Sequence, residues 1–159
     1  MVVSVMIHVR RATIEDAETI LEWRNDPLAI EMSKTRKAVS LAEHLDWFAR
    51  AIASPSHHII IALENERPLG VVRFSRQEAE WLVSINLAPA ERGRSLAARI
   101  LKKSIAAAGV TQLAAEIKNT NVASIRLFEK CGFKLVGNDG QFQRWTLASP
   151  SDGTTLLNQ

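Results

Sequence analysis

Residues 89–97 read Pro-Ala-Glu-Arg-Gly-Arg-Ser-Leu-Ala, and an amphipathic stretch follows at once. Two arginines flanking a glycine just ahead of a helix are equipped to hold an anion. The first-turn amides of a helix have no partner inside it, and its dipole adds positive potential there. Arg92 and Arg94 offer charge-assisted contacts to phosphate oxygens. Gly93 lets the main chain turn tightly and approach a ligand closely. The chemistry on offer is phosphate binding by Arg92, Gly93, Arg94, Ser95, Leu96 and Ala97. The same stretch also reads as a short basic loop with no ligand.

A second segment, Asn119 to Phe133, reads N-T-N-V-A-S-I-R-L-F-E-K-C-G-F. Asn121, Ser124, Leu127, Phe128, Lys130, Gly132 and Phe133 match the helix N-x-x-S-x-x-L-[YF]-x-K-x-G-F of the GNAT acetyltransferase superfamily. The 92–97 segment resembles that superfamily's pyrophosphate loop, with Arg92 at its first position and Ala97 at its last. Ser95 stands where glycine is usual. The resemblance covers residues 7 to 147. It implies an α/β fold with a mixed, mostly antiparallel sheet splayed at its fourth strand, near Ser84 to Ala88. It implies acetyl-CoA as co-substrate, its pantetheine arm along Leu87 and Ala88 and its pyrophosphate on residues 92–97. Asn121, Ser124, Phe128 and Lys130 are the cofactor contacts expected from the second motif.

Acetyl transfer to an amine needs a proton removed, because an ammonium has no lone pair. It needs donors for a developing oxyanion and a proton for the leaving thiolate. In relatives that acetylate protein N-termini or aminosugars, a glutamate twelve residues before the motif aromatic takes the proton, and Glu116 holds that place before Phe128. An exposed strand glutamate is the plain alternative, and Glu80 and His44 are the next candidate bases. Many relatives carry a tyrosine at the position of Phe128; this chain has none. Cys131 lies on nearly the same helical face as Phe128 and reads as a packed, inert thiol.

The stretches W-R-N-D-P, from Trp23, and S-L-A-E-H-L-D-W-F, from Ser40, resemble aminosugar acetyltransferases of nucleotide-sugar pathways, of the pseudaminic acid type. That resemblance implies a nucleotide-linked aminosugar as acceptor, held by Arg24, Asn25, His44 and Trp47. Arg24 suits a bidentate phosphate or uracil contact, and Trp47 or Trp23 an apolar wall. An ion pair of Arg24 with Glu22 or Asp26, and core roles for the tryptophans, stay open. So do two other acceptors, a protein N-terminus and a small amine, and a non-catalytic acetyl-CoA-binding module. A basic acceptor groove favours a nucleotide; an acidic one favours a peptide or aminoglycoside.

These residues must be positioned by a chain of 159 residues, 47% apolar and 23% charged, enough for one domain from 1 to 147 and a polar tail from 148. The charge of +3 and pI near 9.4 fit anionic small ligands. Basic residues form no long run, so nucleic acid is not expected. One cysteine allows no intramolecular disulfide, and no zinc-ligand spacing occurs, so no metal is expected. No apolar run reaches membrane-spanning length, and Met1 to Ile7 lacks the marks of a signal peptide, so a cytoplasmic protein is expected.

Thr13 and Ser40 are N-cap signals, the second with Glu43 as a capping box. They open helices ending at Asn25-Asp26-Pro27 and near Ala53, with Leu41, Leu45, Phe48 and Ile52 on the second helix's apolar face. Leu28 to Val39 reads as loop or short helix. Strands are expected over 8–12, 57–63, 69–74, 81–87, 112–117, 133–136 and 142–147, and helices over 95–108 and 121–131. The strand Phe142 to Leu147 is an expected edge for pairing in a homodimer.

Overall fold

The computed structural model describes residues 5–148. The expected tail from 149 onward and the first four residues of the apolar start lie outside it. Seven strands form one sheet: β1 (Ile7–Arg11), β2 (His57–Glu64), β3 (Arg67–Gln77), β4 (Glu80–Leu87), β5 (Leu113–Lys118), β6 (Lys134–Asn138) and β7 (Phe142–Leu147). The helices are α1 (Ala17–Arg24), α2 (Pro27–Met32), α3 (Leu41–Ala53), α4 (Ala97–Ala108) and α5 (Val122–Lys130). The strand order is β1-β2-β3-β4-β5-β7-β6. Every pairing is antiparallel except β4 with β5.

Alternation in the strands divides the core in two. Ile60, Val72, Phe74, Val83, Leu113, Ala115 and Ile117 face α4 and α5. Ile59, Ile61, Leu63 and Val71 face α1 and α3. The isoleucine run of β2 is buried on both faces, as a strand covered by helices on either side must be.

Local signals explain the boundaries. Ser40 Oγ accepts from the Glu43 amide and starts α3. Gly109, at φ +66, ends α4 in the left-handed conformation glycine favours. Pro27 ends α1 but also opens α2 as its first residue, with Asp26 accepting from the Leu28 and Ala29 amides.

Two expectations are corrected. The buried face of α3 is His44, Phe48 and Ala51, whereas Leu41, Leu45 and Ile52 are exposed. The helix is rotated because the His44 ring bonds the Ala17 carbonyl from inside, at 2.8 Å. And β7 is no edge: it lies between β5 and β6, so the edge strands are β6 on that side and β1 on the other.

Candidate active site

The pairing of β4 with β5 is short. Trp81 pairs with Leu113 and Leu82 with Ala114, and no ladder continues beyond them. From Val83 to Leu87 the β5-facing edge of β4 therefore stands open, at the place the sequence reading put the split. Leu87 sits opposite Gly70 of β3. A Cβ on Gly70 would meet Leu87 Cδ2 at 2.9 Å and the Asn86 carbonyl at 3.0 Å, so only glycine lets β4 lie this close. Ala88 donates to the Leu69 carbonyl and ends the strand.

The open edge leads to the 92–97 loop. Gly93 and Ser95 both have positive φ, +79° and +59°. The second value accounts for the family's glycine where this chain has serine, since a Cβ is disfavoured there. No side chain caps α4, so its first amides remain available to an anion. Leu96 is buried in the core beneath, and Ala97 opens the helix.

The two loop arginines are not free, as the sequence suggested, but each is paired. Arg92 donates to Asp26 at 2.8 Å, and Arg94 to Glu91, which also accepts from Arg67. Glu91 is buried, so these bonds fix the loop. A guanidinium has five N–H donors, and one carboxylate leaves several for a phosphate.

At the start of α5, Asn121 Oδ1 accepts from the Ser124 amide and caps the helix. Its Nδ2 group stays available. Lys130 is exposed at the other end of this nine-residue helix, about 13 Å away at 1.5 Å per residue. Phe128 is 2% exposed and meets Phe133 edge to face at 4.9 Å. Its ring belongs to the core, so the cofactor contact expected of it is corrected to packing. Cys131 is partly buried, and burial pushes its thiol pKa up, in keeping with an inert thiol.

Glu116 lies on the α1/α3 face of β5, because its neighbours Ala115 and Ile117 face the opposite core. Lys34 Nζ donates to its Oε2 at 2.6 Å. Arg144, its partner across β7, is bound instead to Glu80. That leaves Glu80 committed and Glu116 reachable once Lys34 moves. Cross-strand order places Arg73 of β3 opposite Ser84 of β4, with Glu116 of β5 beyond. All three point to the same face.

Over that face a pocket of about 390 Å³ is lined by Arg24, Lys37, Glu43, His44, Trp47 and Arg73, among others. Three residues expected from two separate segments thus meet in one place. Arg24 makes neither anticipated ion pair among the described residues; Asp26 is taken by Arg92. Asn25 is corrected. Its amide is spent on Val39, donating to the carbonyl and accepting from the N–H, both at 2.8 Å, so it anchors the 33–39 segment. His44 is corrected in part. It is 2% exposed with Nε2 bound to Ala17, so it forms pocket wall and is no candidate base. Burial, with Arg24 nearby, holds its pKa below the ordinary 6.5.

Sequence reasoning missed Lys37, in a segment without period, and Arg73, inside an apolar strand. The signal for Arg73 was its placement in V-V-R-F, where a charged residue interrupts a buried run. Among the described residues no group of three or more metal-ligating side chains occurs, and no helix is long and apolar enough to cross a membrane.

A sheet splayed between two parallel strands, with an uncapped helix at the mouth of the split, is the arrangement the motif resemblance implies for an acetyl-CoA-dependent acyltransferase. Comparison with known families makes this specific: a family model described as an acetyltransferase (GNAT) domain matches residues 7–134, and the chain belongs to that family. It is an N-acetyltransferase that draws on acetyl-CoA. An N-acetyltransferase from Staphylococcus aureus Mu50 is 27% identical with a TM-score of 0.76, over 90% of this chain and 98% of that one. Spermidine N-acetyltransferase from Vibrio cholerae, solved with CoA and spermine, is 16% identical with a TM-score of 0.76, over 90% and 95%. A putative acetyltransferase from Salmonella typhimurium, with its cofactor acetyl-CoA, is 21% identical with a TM-score of 0.73, over 89% and 93%. No curated protein matches the sequence.

Proposed function

We propose that this chain moves the acetyl group of acetyl-CoA onto the amino group of a nucleotide-linked aminosugar, in the cytoplasm. The observation that carries the reading is the convergence of Arg24, His44 and Trp47 into one pocket on the sheet face that bears Glu116. In this reading the amides of residues 92–97 hold the pyrophosphate, with Arg92 and Arg94 sharing their donors between it and their carboxylates. The open edge of β4 through Leu87 and Ala88 holds the pantetheine arm, and Asn121 Nδ2 and Ser124 border it.

Glu116 accepts the proton of the acceptor's ammonium, which takes the place Lys34 Nζ holds in the resting site. The freed amine attacks the thioester carbonyl, and the thiolate leaves. Phe128 supplies no hydroxyl, so the second proton lost from the acylated nitrogen reaches the departing thiolate through water. Holding the two substrates in line provides much of the acceleration.

The charge of the pocket separates this acceptor from a polyamine. Arg24, Lys37 and Arg73 face one carboxylate, Glu43, among the lining residues. A polycation is repelled there and a nucleotide attracted.

Thiol release from acetyl-CoA, measured with UDP-aminosugars, peptides and polyamines, tests the reading. Release specific to a nucleotide sugar supports it. Release with spermidine at equal or better kcat/KM overturns it. Tight acetyl-CoA binding without release on any amine also overturns it, in favour of a non-catalytic module.

A further inference from the structure

Arg73 is a charged residue in the middle of β3, between buried Val72 and Phe74. Among the described residues its guanidinium has no carboxylate and no hydrogen-bond acceptor. The Trp47 ring covers it at 5.3 Å, and this cation–π contact satisfies none of its five donors. Arg24 also lacks a carboxylate partner, and it is close enough to Arg73 to disfavour the charged form. Burial is the larger cause of that effect. His57, perpendicular to the Trp47 ring, has its pKa lowered by burial and by Arg73, and its buried Nδ1 has no partner among the described residues. Two arginines brought together with no carboxylate bonded to either among the described residues, and Glu43 the one acidic side chain lining their pocket, repel each other and lose hydration. A fold that keeps such a pair open to a pocket has left room for an anion to complete it.

We propose that Arg73, with Arg24, is the receptor for a phosphate carried by the acceptor, and that it selects amines one sugar ring away from that phosphate. The inference rests on the acceptor reading above and narrows it. Neighbouring strands lie about 4.8 Å apart, so Arg73 on β3 and Glu116 on β5 are separated by two spacings, about 10 Å, plus what the splay adds. One pyranose ring between an amine and an anomeric phosphate bridges the gap between the ends of those two side chains. A free amine without an anion, or one at the end of a long flexible chain, reaches Glu116 but leaves Arg73 unanswered. A planar guanidinium is suited to the bidentate phosphate contact this needs.

The test uses the full chain saturated with CoA, so that the cofactor loop is occupied, and titrates it with UDP. Wild type is expected to bind UDP, and Arg73→Met to bind it at least tenfold more weakly with CoA affinity unchanged. Because the substitution removes an unpaired charge from beneath Trp47, the variant is also expected to melt at the same or a higher temperature, which separates lost binding from lost folding. Arg24→Gln, in the same pocket, is expected to weaken UDP binding as well. Equal UDP affinity in wild type and Arg73→Met overturns the proposal, as does a wild type that binds no UDP. Turnover of a nucleotide aminosugar that Arg73→Met leaves intact sinks this inference alone. Arg73-dependent UDP binding without turnover of any nucleotide sugar sinks the acceptor reading alone.

Discussion

Glu116 and Ser95 show what a single residue contributes here. Glu116 is a half-buried carboxylate whose partner is an exposed lysine, Lys34, while the neighbouring Arg144 is bound to Glu80. Replacing it with glutamine keeps the shape and removes the proposed proton acceptor. Turnover of Glu116→Gln is expected to fall by about 10²–10⁴ while acetyl-CoA affinity stays within a factor of two or so, since general-base contributions have that size. Steady-state kinetics beside a calorimetric titration would check it; unchanged turnover would remove Glu116 from the chemistry. Ser95 sits at φ +59° in the loop proposed to hold the pyrophosphate. Ser95→Gly is expected to relieve strain of about 1 kcal/mol and raise the melting temperature without weakening acetyl-CoA binding. A lower melting temperature would mean that the serine hydroxyl makes a contact worth more than the strain. Both residues were legible in the sequence by motif position. Arg73 was not, because a motif search passes over an arginine whose meaning lies in the absence of a partner.

At the scale of elements, boundaries were readable and faces less so. Caps are local: Ser40 with Glu43, Asn121 with Ser124, and Gly109 after α4 act within a few residues, so their sequence signatures mark the helices they begin or end. The orientation of α3 is decided by a bond from His44 to a helix distant in sequence, and hydropathy counts His44 as polar. The leucines at 41 and 45 therefore look like core and are not. This makes a comparison possible within one helix. Leu45 is 37% exposed and Phe48 is fully buried. Leu45→Lys is expected to change stability by less than about 0.5 kcal/mol, and Phe48→Ala to cost about 3–5 kcal/mol. Urea unfolding of the two variants reads the difference directly. Comparable losses would mean that the Leu41–Leu45 stripe is covered in solution. The fate of β7 has a similar cause. Its alternating sequence suited an edge as well as an interior position, and only the return of β6 along its far side settled it.

Over the whole molecule, the titrating groups are distributed so that acid is expected to weaken the fold in two stages. His44, His57 and His58 all have pKa values below the ordinary 6.5 in the folded state. Burial is the leading cause for each; Arg24, Arg73 and Arg11 respectively add to it. The unfolded chain therefore takes up protons at these sites before the folded chain does. Their contribution is complete above pH 6.5 and is lost progressively as the pH falls below it. The aspartates follow at lower pH. Asp26 is held low by the Arg92 guanidinium first, and by the Ala29 and Leu28 amides. Burial opposes ionisation of Asp16, but the Arg10 guanidinium and the Thr13 amide outweigh it. Both carboxylates stabilise the fold above their ordinary 3.8, and that stabilisation disappears as they protonate below it. Thermal melts from pH 8 to 4 are thus expected to hold level down to about 6.5 and then to fall, as histidine linkage requires. His44→Gln, which keeps a donor for the Ala17 carbonyl but no longer titrates, is expected to decline less steeply between pH 6.5 and 5 than wild type. Parallel curves would show that protonation of His44 does not drive the first stage, and would move it to His57, beside Trp47, and His58, stacked on Trp81.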